Sequence, residues 1–328
     1  MAQTTTVTVA AHILSELMSA EALQPLWNKY IAIDKLNSSN IDGEAGLTRK
    51  IRKRASIAAA PDDTEGVAVS TAETMTDPAS ISLVPTGKVQ RINTTIKAIR
   101  RRLPGATREQ VIAAIEAGNP ETLPFIRDAA QLIFDSHLQR AETDTLALFS
   151  GISQSAGTTN QTLSFATFLD ALFKILDGKP EHEQIVAMLD EKGVKDLRAS
   201  LIAGTGTGLA TIWNDTTTIS FFNHVPDAGR MGYRGACMGV PVYAADKSLM
   251  ATANAGVDRQ AAMFCMGRGE TGSPGSMRGF AEFCEGHAMA LQFQLNMLDD
   301  SADAVGRWEN IPGEHTDEHA CGIIYKKD

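Results

Sequence analysis

Hydrophobic and polar residues recur with two different periods along the chain. A spacing of three and four residues between apolar positions predicts a long amphipathic helix from Glu121 to Phe149. Charged residues, Glu142 and Asp144 among them, are expected mainly on its other faces. At a rise of about 1.5 Å per residue the helix would span about 44 Å, which is long for a compact domain.

The same spacing, together with residues that start and stop helices, predicts shorter helices elsewhere. These are Val7–Leu26, Gln110–Ala117, Phe165–Leu176 and Val194–Ile202. Thr162 or Ser164 would cap the start of Phe165–Leu176, and Gly178 follows its end.

A period of two predicts strands near the end of the chain. Leu291, Phe293 and Leu295 alternate with polar residues, as expected of a strand with one buried face. Further strands are predicted at Ile185–Leu189, Thr217–Phe222, Cys237–Ala244, Ala261–Met266 and Gly322–Tyr325. Because strands and helices do not alternate regularly, the predicted fold class is α+β with mostly antiparallel strands.

Thr, Ser, Val and Ile dominate the stretch from Gly66 to Asn93, and Asp77 and Pro78 stand midway, where a turn is needed. This pattern predicts two long, weakly hydrophobic strands joined at a tip. Such a hairpin is marginally stable alone, so it needs a partner surface in the same chain or another. The segments Asn37–Gly46 and Gly151–Gln161 are predicted to be loops, the second at a domain boundary.

Composition fits a folded protein: 328 residues, 43% hydrophobic and 21% charged, with a net charge of −9. The charge is uneven. The segment from Glu282 to Glu318 contains nine acidic residues and only one Lys or Arg, which is Arg307. Basic residues cluster instead at 49–54 and 100–102. Three interpretations are open. The patches are solvated faces, or patches of opposite charge pair copies of the chain with each other, or the basic arm contacts an anionic substance inside the assembly.

No signal peptide and no apolar run long enough to span a membrane are visible. The four cysteines are far apart and lack a CxxC spacing. We therefore expect free, buried thiols made in a reducing cytoplasm. The cysteines are Cys237, Cys265, Cys284 and Cys321.

The sequence offers weak candidates for chemistry. The run Gly204–Gly208 lacks the Lys-Ser/Thr of a phosphate-binding loop and follows a predicted helix, so a flexible loop is favoured. His315, His319 and Cys321 lack a second ligand pair, and the neighbouring Glu314, Asp317 and Glu318 indicate an exposed polar turn instead of a metal site. His224 and His287 are isolated, and no GxSxG motif occurs. No catalytic, metal or cofactor site is predicted.

The order of the segments resembles that of tailed-phage major capsid proteins, the Hong Kong 97 fold. The N-terminal residues through Arg54 resemble the arm of that family, and Ala55–Asn93 its extended E-loop hairpin. Pro124–Gly151 resembles its spine helix. Ile185–Leu201 resembles the strand and helix that open its axial domain, and Gly232–Asp246 its glycine turn.

The resemblance implies a domain order. The expected boundaries are an N-terminal arm at 1–54, an E-loop hairpin at 55–95 and a peripheral domain at 96–160 with its spine helix at about 120–150. An axial domain at 161–275 and C-terminal strands at 276–328 that return to the peripheral domain complete the chain.

The resemblance also implies a function: a structural subunit, not an enzyme, that assembles as hexamers and pentamers into an icosahedral shell around double-stranded DNA. Implied partners are further copies, a scaffolding protein, a portal and a cement or decoration protein, with non-specific DNA contact, no membrane and no cofactor. The subunit would be made in the host cytoplasm and reside in the virion capsid. No Lys/Asn/Glu crosslinking triad can be placed, and a chain that starts at Met1 speaks against a cleaved scaffolding segment.

Two other functions stay open: an encapsulin-like compartment shell on the same fold, and an unrelated soluble α+β enzyme. The expected assembly contacts are charged residues of the arm, the hairpin and the second basic cluster. They are Arg49, Lys50, Arg52, Lys53, Arg54, Glu73, Asp77, Arg100, Arg101 and Arg102.

Overall fold

The computed structural model describes residues 5–9, 30–41, 48–52, 80–102, 105–116, 124–177, 184–203, 232–267, 279–296, 298–314 and 316–327. The helices are α1 (Ile96–Arg102), α2 (Arg108–Glu116), α3 (Pro124–Ala147), α4 (Phe165–Leu176) and α5 (Glu191–Ala203). The strands are β1 (Thr5–Val9), β2 (Asn37–Asn40), β3 (Arg49–Arg52), β4 (Ser80–Leu83), β5 (Thr86–Thr95), β6 (Ser155–Ala156), β7 (Gln184–Leu189), β8 (Tyr233–Cys237), β9 (Val240–Ala244), β10 (Thr252–Ala253), β11 (Asp258–Met266), β12 (Ala281–Asn296), β13 (Ser301–Glu314) and β14 (Ala320–Lys326). Short 3-10 helices lie at Ile33–Lys35, Leu148–Gly151, Asn254–Gly256 and Asp317–His319.

One sheet, which we call the long sheet, has the strand order β1-β12-β13-β5, with β2 pairing in parallel with β12. Its centre is the hairpin of β12 and β13, whose register runs from Ala281 opposite Glu314 to Asn296 opposite Ser301. The predicted alternation is confirmed at Leu291 and Leu295, which are buried. The strand nevertheless begins ten residues earlier than the alternation indicated, at Ala281.

The long helix α3 lies on the long sheet because the strand beneath it carries small residues. A Cβ atom at Gly306 of β13 would lie 2.1 Å from Cγ2 of Ile133, so only glycine permits this approach. Ala302 and Ala304 are fully buried in the same layer. The predicted helix is thereby confirmed, between Pro124 and Ala147, followed by one 3-10 turn.

The second sheet has the order β6-β14-β11-β7-β9-β8, with β10 pairing with β11, and we call it the seven-stranded sheet. The helices α4 and α5 accompany it. The α4 prediction is confirmed to the residue, and Ser164 caps it by accepting the Thr167 N–H at 3.2 Å. At the start of α5, the Asp190 carboxylate accepts the Gly193 N–H at 2.6 Å.

The strand predicted at Cys237–Ala244 is instead a hairpin. β8 ends at Cys237 and β9 begins at Val240, with Met238 and Gly239 between them at φ values of 53° and 79°. Positive φ at both central residues is typical of the tight turns that join antiparallel strands. The glycine thus permits the turn within the segment that resembled the family's glycine turn.

The N-terminal predictions need correction. Val7–Val9 belong to strand β1, which pairs with β12, and not to a helix; the rest of that predicted helix, through Leu26, lies outside the described residues. Asn37–Asn40, predicted to be a loop, is strand β2. Its side chains are polar, so nothing in their pattern indicates a strand, and the pairing with β12 determines its conformation.

The hairpin prediction is also altered. β4 pairs with β3, so the first strand of the hairpin begins at Arg49 and not after Gly66 as predicted. The following strand β5 pairs with β13 along its whole length, from Thr86 opposite Asn310 to Thr95 opposite Ser301. Residues 53–79, including the proposed tip at Asp77 and Pro78, lie outside the described part. Thr86–Asn93, which were predicted to belong to the hairpin, thus pair with β13 of the long sheet.

Candidate assembly surfaces

The first basic cluster is placed by the backbone of β3. Arg49, Lys50 and Arg52 form this strand with Ile51, and Arg49 lies opposite Leu83 of β4. Leu83 is buried, and a Cβ at Gly313 would lie 2.1 Å from its Cδ2, so β4 is fixed firmly against the long sheet. The other predicted contacts of this region, Lys53, Arg54, Glu73 and Asp77, lie outside the described residues.

The second basic cluster lies on α1. Ile96 and Ile99 are buried in the core between the helices and the long sheet, which fixes the helix. Arg100 and Arg101 are exposed, and neither makes a salt bridge within the described part of the chain. Arg102 ends the helix, and its side chain is outside the description. Arg100 and Arg101 therefore form a solvent-facing positive surface on a helix that is fixed by its buried isoleucines.

The open face of the long sheet is polar. Strand β5 alternates exposed and half-buried residues and forms an edge of the sheet. On the exposed face, the Arg91 guanidinium lies 2.5 Å from the Asp303 carboxylate, and Asn93 donates to that carboxylate at 2.7 Å. Burial opposes the charge of Asp303, but the bonds from Arg91 and Asn93 outweigh it and lower the pKa of Asp303. The sequence analysis did not predict this cluster of Arg91, Asn93 and Asp303.

Several large apolar side chains are exposed. Leu298, at the turn between β12 and β13, is 80% exposed, and Leu132 on α3 is 60% exposed. Phe173 and Leu176 lie together near the end of α4, at 60% and 45%. These three sites lie on different elements, and small exposed hydrophobic sites of this kind are common on folded proteins.

A segment near the N-terminus, Tyr30–Ile41, fastens the two sheets together, and we call it the strap. The Glu142 carboxylate of α3 accepts the backbone N–H groups of Ile31, Ala32 and Ile33 at 3.2, 3.0 and 3.2 Å. The Tyr30 hydroxyl donates to the Asp135 carboxylate of α3 at 2.7 Å. Burial raises the pKa of Glu142 to about 7, although the three N–H groups act in the opposite direction.

The prediction that Glu142 lies on an outer face of the long helix is wrong, since Glu142 is only 2% exposed. Its position was a usable signal, because it lies four residues after Leu138, a core position of the same helix. An acid at that spacing needs hydrogen-bond donors from another segment, and the strap supplies them.

The candidate chemistry is placed as follows. His319 is buried, so the expected exposed turn is wrong for this residue, whereas Cys321 is buried as expected of the thiols. His315, His224 and Gly204–Gly208 lie outside the described residues. No group of three or more metal-binding side chains occurs in the described ranges. Among the same ranges, no helix is long and apolar enough to cross a membrane.

All four cysteines are free and buried, as the sequence indicated. Burial raises the pKa of Cys237 and of Cys265 to about 12, and that of Cys321 to about 11. These thiols therefore stay protonated and behave as small apolar core residues.

Comparison with known proteins gives a match in structure and none in sequence. A scan against protein-family models finds no match, and a search of curated proteins also finds none. The holo-SrpI encapsulin complex of Synechococcus elongatus is similar at 9% identity and a TM-score of 0.56, over 93% of this chain and 89% of that one.

Two particle structures extend the match. The acid-stable capsid of Helicobacter pylori bacteriophage KHP30 matches at 10% identity and a TM-score of 0.55, over 91% of this chain and 90% of that one. The capsid of a native GTA particle matches at 10% identity and a TM-score of 0.53, over 91% and 90%. At such low identity the likeness speaks for the fold and not for the activity. The chain adopts the α+β fold of the Hong Kong 97-type capsid proteins.

Proposed function

We propose that this chain is the structural subunit of an icosahedral phage capsid, which assembles as hexamers and pentamers around double-stranded DNA. One observation carries the proposal: particle-forming proteins match about nine tenths of this chain and nine tenths of their own. The role is structural and without catalysis. Its partners are further copies, with a scaffolding protein, portal, decoration protein and non-specifically bound DNA as further candidates.

The shape of the described parts supports this proposal. The β3–β4 pair and the edge strand β5 offer backbone hydrogen-bonding groups to a neighbouring copy. Identical subunits that contact each other through different patches close into rings when the rotation closes. The ten charged residues named above are our proposed assembly contacts. Arg100 and Arg101 are the best supported, because both are exposed and neither has a salt-bridge partner among the described residues.

The domain order of the family is part of the proposal: arm, E-loop hairpin, peripheral domain, axial domain and returning strands. The described residues suggest a change at its start. The strap, which falls within the expected arm at 1–54, is largely buried against α3 and β12. We therefore propose that Tyr30–Ile41 of the arm makes no contact with neighbouring copies, and that the basic residues from Arg49 onward are its assembly contacts.

The test combines particle imaging with a hairpin deletion. Deleting 72–83 would remove β4 and the buried Leu83, so the deletion should stop at residue 79. We expect the purified wild-type chain, with its scaffold where one is needed, to form shells in negative-stain electron microscopy. The 72–79 deletion should keep its circular dichroism and lose the shells.

A control variant replaces residues 72–79 with eight Gly and Ser residues, which separates the length of the hairpin from its side chains. Shells formed by the deletion would contradict the hairpin assignment. A wild-type chain that stays monomeric, with no rings, sheets or shells under any condition, would contradict the proposed function.

An encapsulin-like compartment is a second candidate, because the encapsulin complex has a TM-score of 0.56 against 0.55 for the phage capsid. The content of the particles distinguishes the two. Nuclease-resistant double-stranded DNA in particles from the native source supports the phage capsid. A co-purified cargo protein in place of DNA would favour the compartment.

A further inference from the structure

The strap is a short bridge between the two sheets. On one side, Tyr30 and the backbone of Ile31–Ile33 bind α3, which lies on the long sheet. On the other side, the side chain of Ile31 lies against Gly232, where a Cβ would come within 1.7 Å of Ile31 Cδ1. The strap then continues into β2, which pairs with β12. Movement of the strap therefore changes how the two sheets are linked.

One buried carboxyl group holds the α3 side of this bridge. Glu142 is the common acceptor for three successive backbone N–H groups, and each of them would be unpaired if the carboxyl left. A carboxylate and a carboxylic acid bind such a set differently. The ionised form makes stronger hydrogen bonds, but it carries a charge that burial disfavours.

We propose that Glu142 is a protonation-dependent latch: the strap stays docked on α3 while this carboxyl is protonated, and it opens more often once the carboxyl ionises. Opening would release Tyr30–Leu36 from α3 and loosen the link between the long sheet and the seven-stranded sheet. The latch is a property of the single chain, so it stands or falls independently of the shell proposal.

The charged surroundings favour this direction. Asp34 on the strap repels the ionised carboxylate and adds to the effect of burial. The Lys35 ammonium lies 3.5 Å from the Asp34 carboxylate and 4.3 Å from the centre of the Tyr243 ring of β9, so it offsets part of this repulsion, and burial of Glu142 remains the larger cause. On α3 itself, Asp135 is engaged by Tyr30.

The sign follows from linkage. Docked, Glu142 has a pKa of about 7, against an ordinary value of 4.5 when the strap is open and the carboxyl meets water. A raised pKa in the docked state means that docking binds a proton. Docking is therefore strongest below pH 4.5 and weakens as the pH rises to about 7. The opening equilibrium should rise by on the order of a hundredfold across this window.

Amide hydrogen exchange of the full chain tests the latch. Protection factors of residues 31–36, corrected for the intrinsic pH dependence of exchange, should fall by on the order of a hundredfold between pH 5 and pH 8.5. Amides of β7, in the core of the seven-stranded sheet, serve as the internal reference and should stay constant. A flat profile for residues 31–36 in the wild-type chain would overturn the proposal.

Variants separate the carboxyl from the rest of the strap. In Glu142→Gln the pH dependence should disappear, whereas the control Glu109→Gln, an exposed acid on α2, should keep the wild-type profile. Tyr30→Phe should lower protection at every pH and leave the slope unchanged. A Glu142→Gln chain that retains the wild-type fall would refute the latch. If that variant does not fold, the wild-type and Tyr30→Phe profiles decide.

Discussion

The seven-stranded sheet buries both of its faces in apolar side chains, whereas the long sheet buries one face and leaves the other polar. Along β7, the four residues from Val186 to Leu189 are fully buried, so both sides of this strand are covered. Along β5 of the long sheet, exposed residues such as Arg91 and Asn93 alternate with half-buried ones. The stability of the seven-stranded sheet therefore depends on apolar area removed from water, whereas that of the long sheet also depends on polar pairing.

The contact between α3 and the long sheet relies on close backbone approach and on polar pairs as well as on apolar area. Gly306 lets the helix approach, and Lys88 of β5 donates to Asp144 of α3 at 2.6 Å and to Asn310 of β13 at 2.5 Å. Trp308 packs against Phe283 and donates its indole N–H to Glu285 at 2.6 Å. The long sheet should therefore respond to changes of shape and polar pairing, and the seven-stranded sheet to loss of apolar volume.

The largest effect is expected from removing apolar volume in the seven-stranded sheet. Phe264 is fully buried, and the centre of its ring lies 5.7 Å from the ring centre of Phe149 and 5.9 Å from that of Phe280. Phe264→Ala should lower the free energy of unfolding by about 3–5 kcal/mol, since it loses transfer energy and leaves a cavity. Chemical unfolding at constant protein concentration measures this change.

The matched control is Phe173→Ala, which truncates an exposed phenylalanine of α4 and should change the free energy of unfolding by about 0.5 kcal/mol or less. If the two substitutions cost the same, the seven-stranded sheet is not held by the burial described here.

A smaller effect is expected from the shape of the long sheet. Gly306→Val would place a Cβ 2.1 Å from Ile133 and push α3 away from β13. We expect a loss of about 1–3 kcal/mol, because the core must shift to accept the side chain. The control Gly87→Val lies on the neighbouring strand, where the nearest atom to a new Cβ is 3.8 Å away. Equal unfolding midpoints for the two variants would contradict the close approach of α3.

This difference between the sheets also decided what the sequence could predict. β7 and β11 were recognisable because each contains a run of five or six consecutive apolar residues. β13 was missed, because its helix-facing residues are Ala302, Ala304 and Gly306, and small residues give no hydrophobic alternation. In β13, proximity to α3 determines the residue type, and proximity cannot be inferred from one strand alone.

The candidate assembly surfaces were predictable to a lesser degree. The basic clusters at Arg49–Arg52 and Arg100–Arg101 were visible as charge runs, and the structure places the second on a helix surface. The strap was not visible, because its donors are backbone N–H groups, which every sequence has. Only Glu142, an acid at a core spacing of its helix, pointed toward it.

The smallest effect is expected from the polar network beneath α3. Lys88→Met removes the donor shared by Asp144 and Asn310, and leaves the buried Asn310 short of a partner. The expected cost in the free energy of unfolding is about 1–2 kcal/mol, the usual penalty for an unsatisfied buried polar group. The control Lys174→Met breaks the solvent-exposed pair with Asp170 on α4 and should cost about 0.5 kcal/mol or less. Because the Lys88 pair is only 15% and 24% exposed, its effect should persist in 0.5 M salt, while that of Lys174 should shrink. A Lys88→Met chain as stable as wild type would show that packing on Gly306 alone holds α3 to the long sheet, and the contrast between the two sheets would then be one of shape and not of polarity.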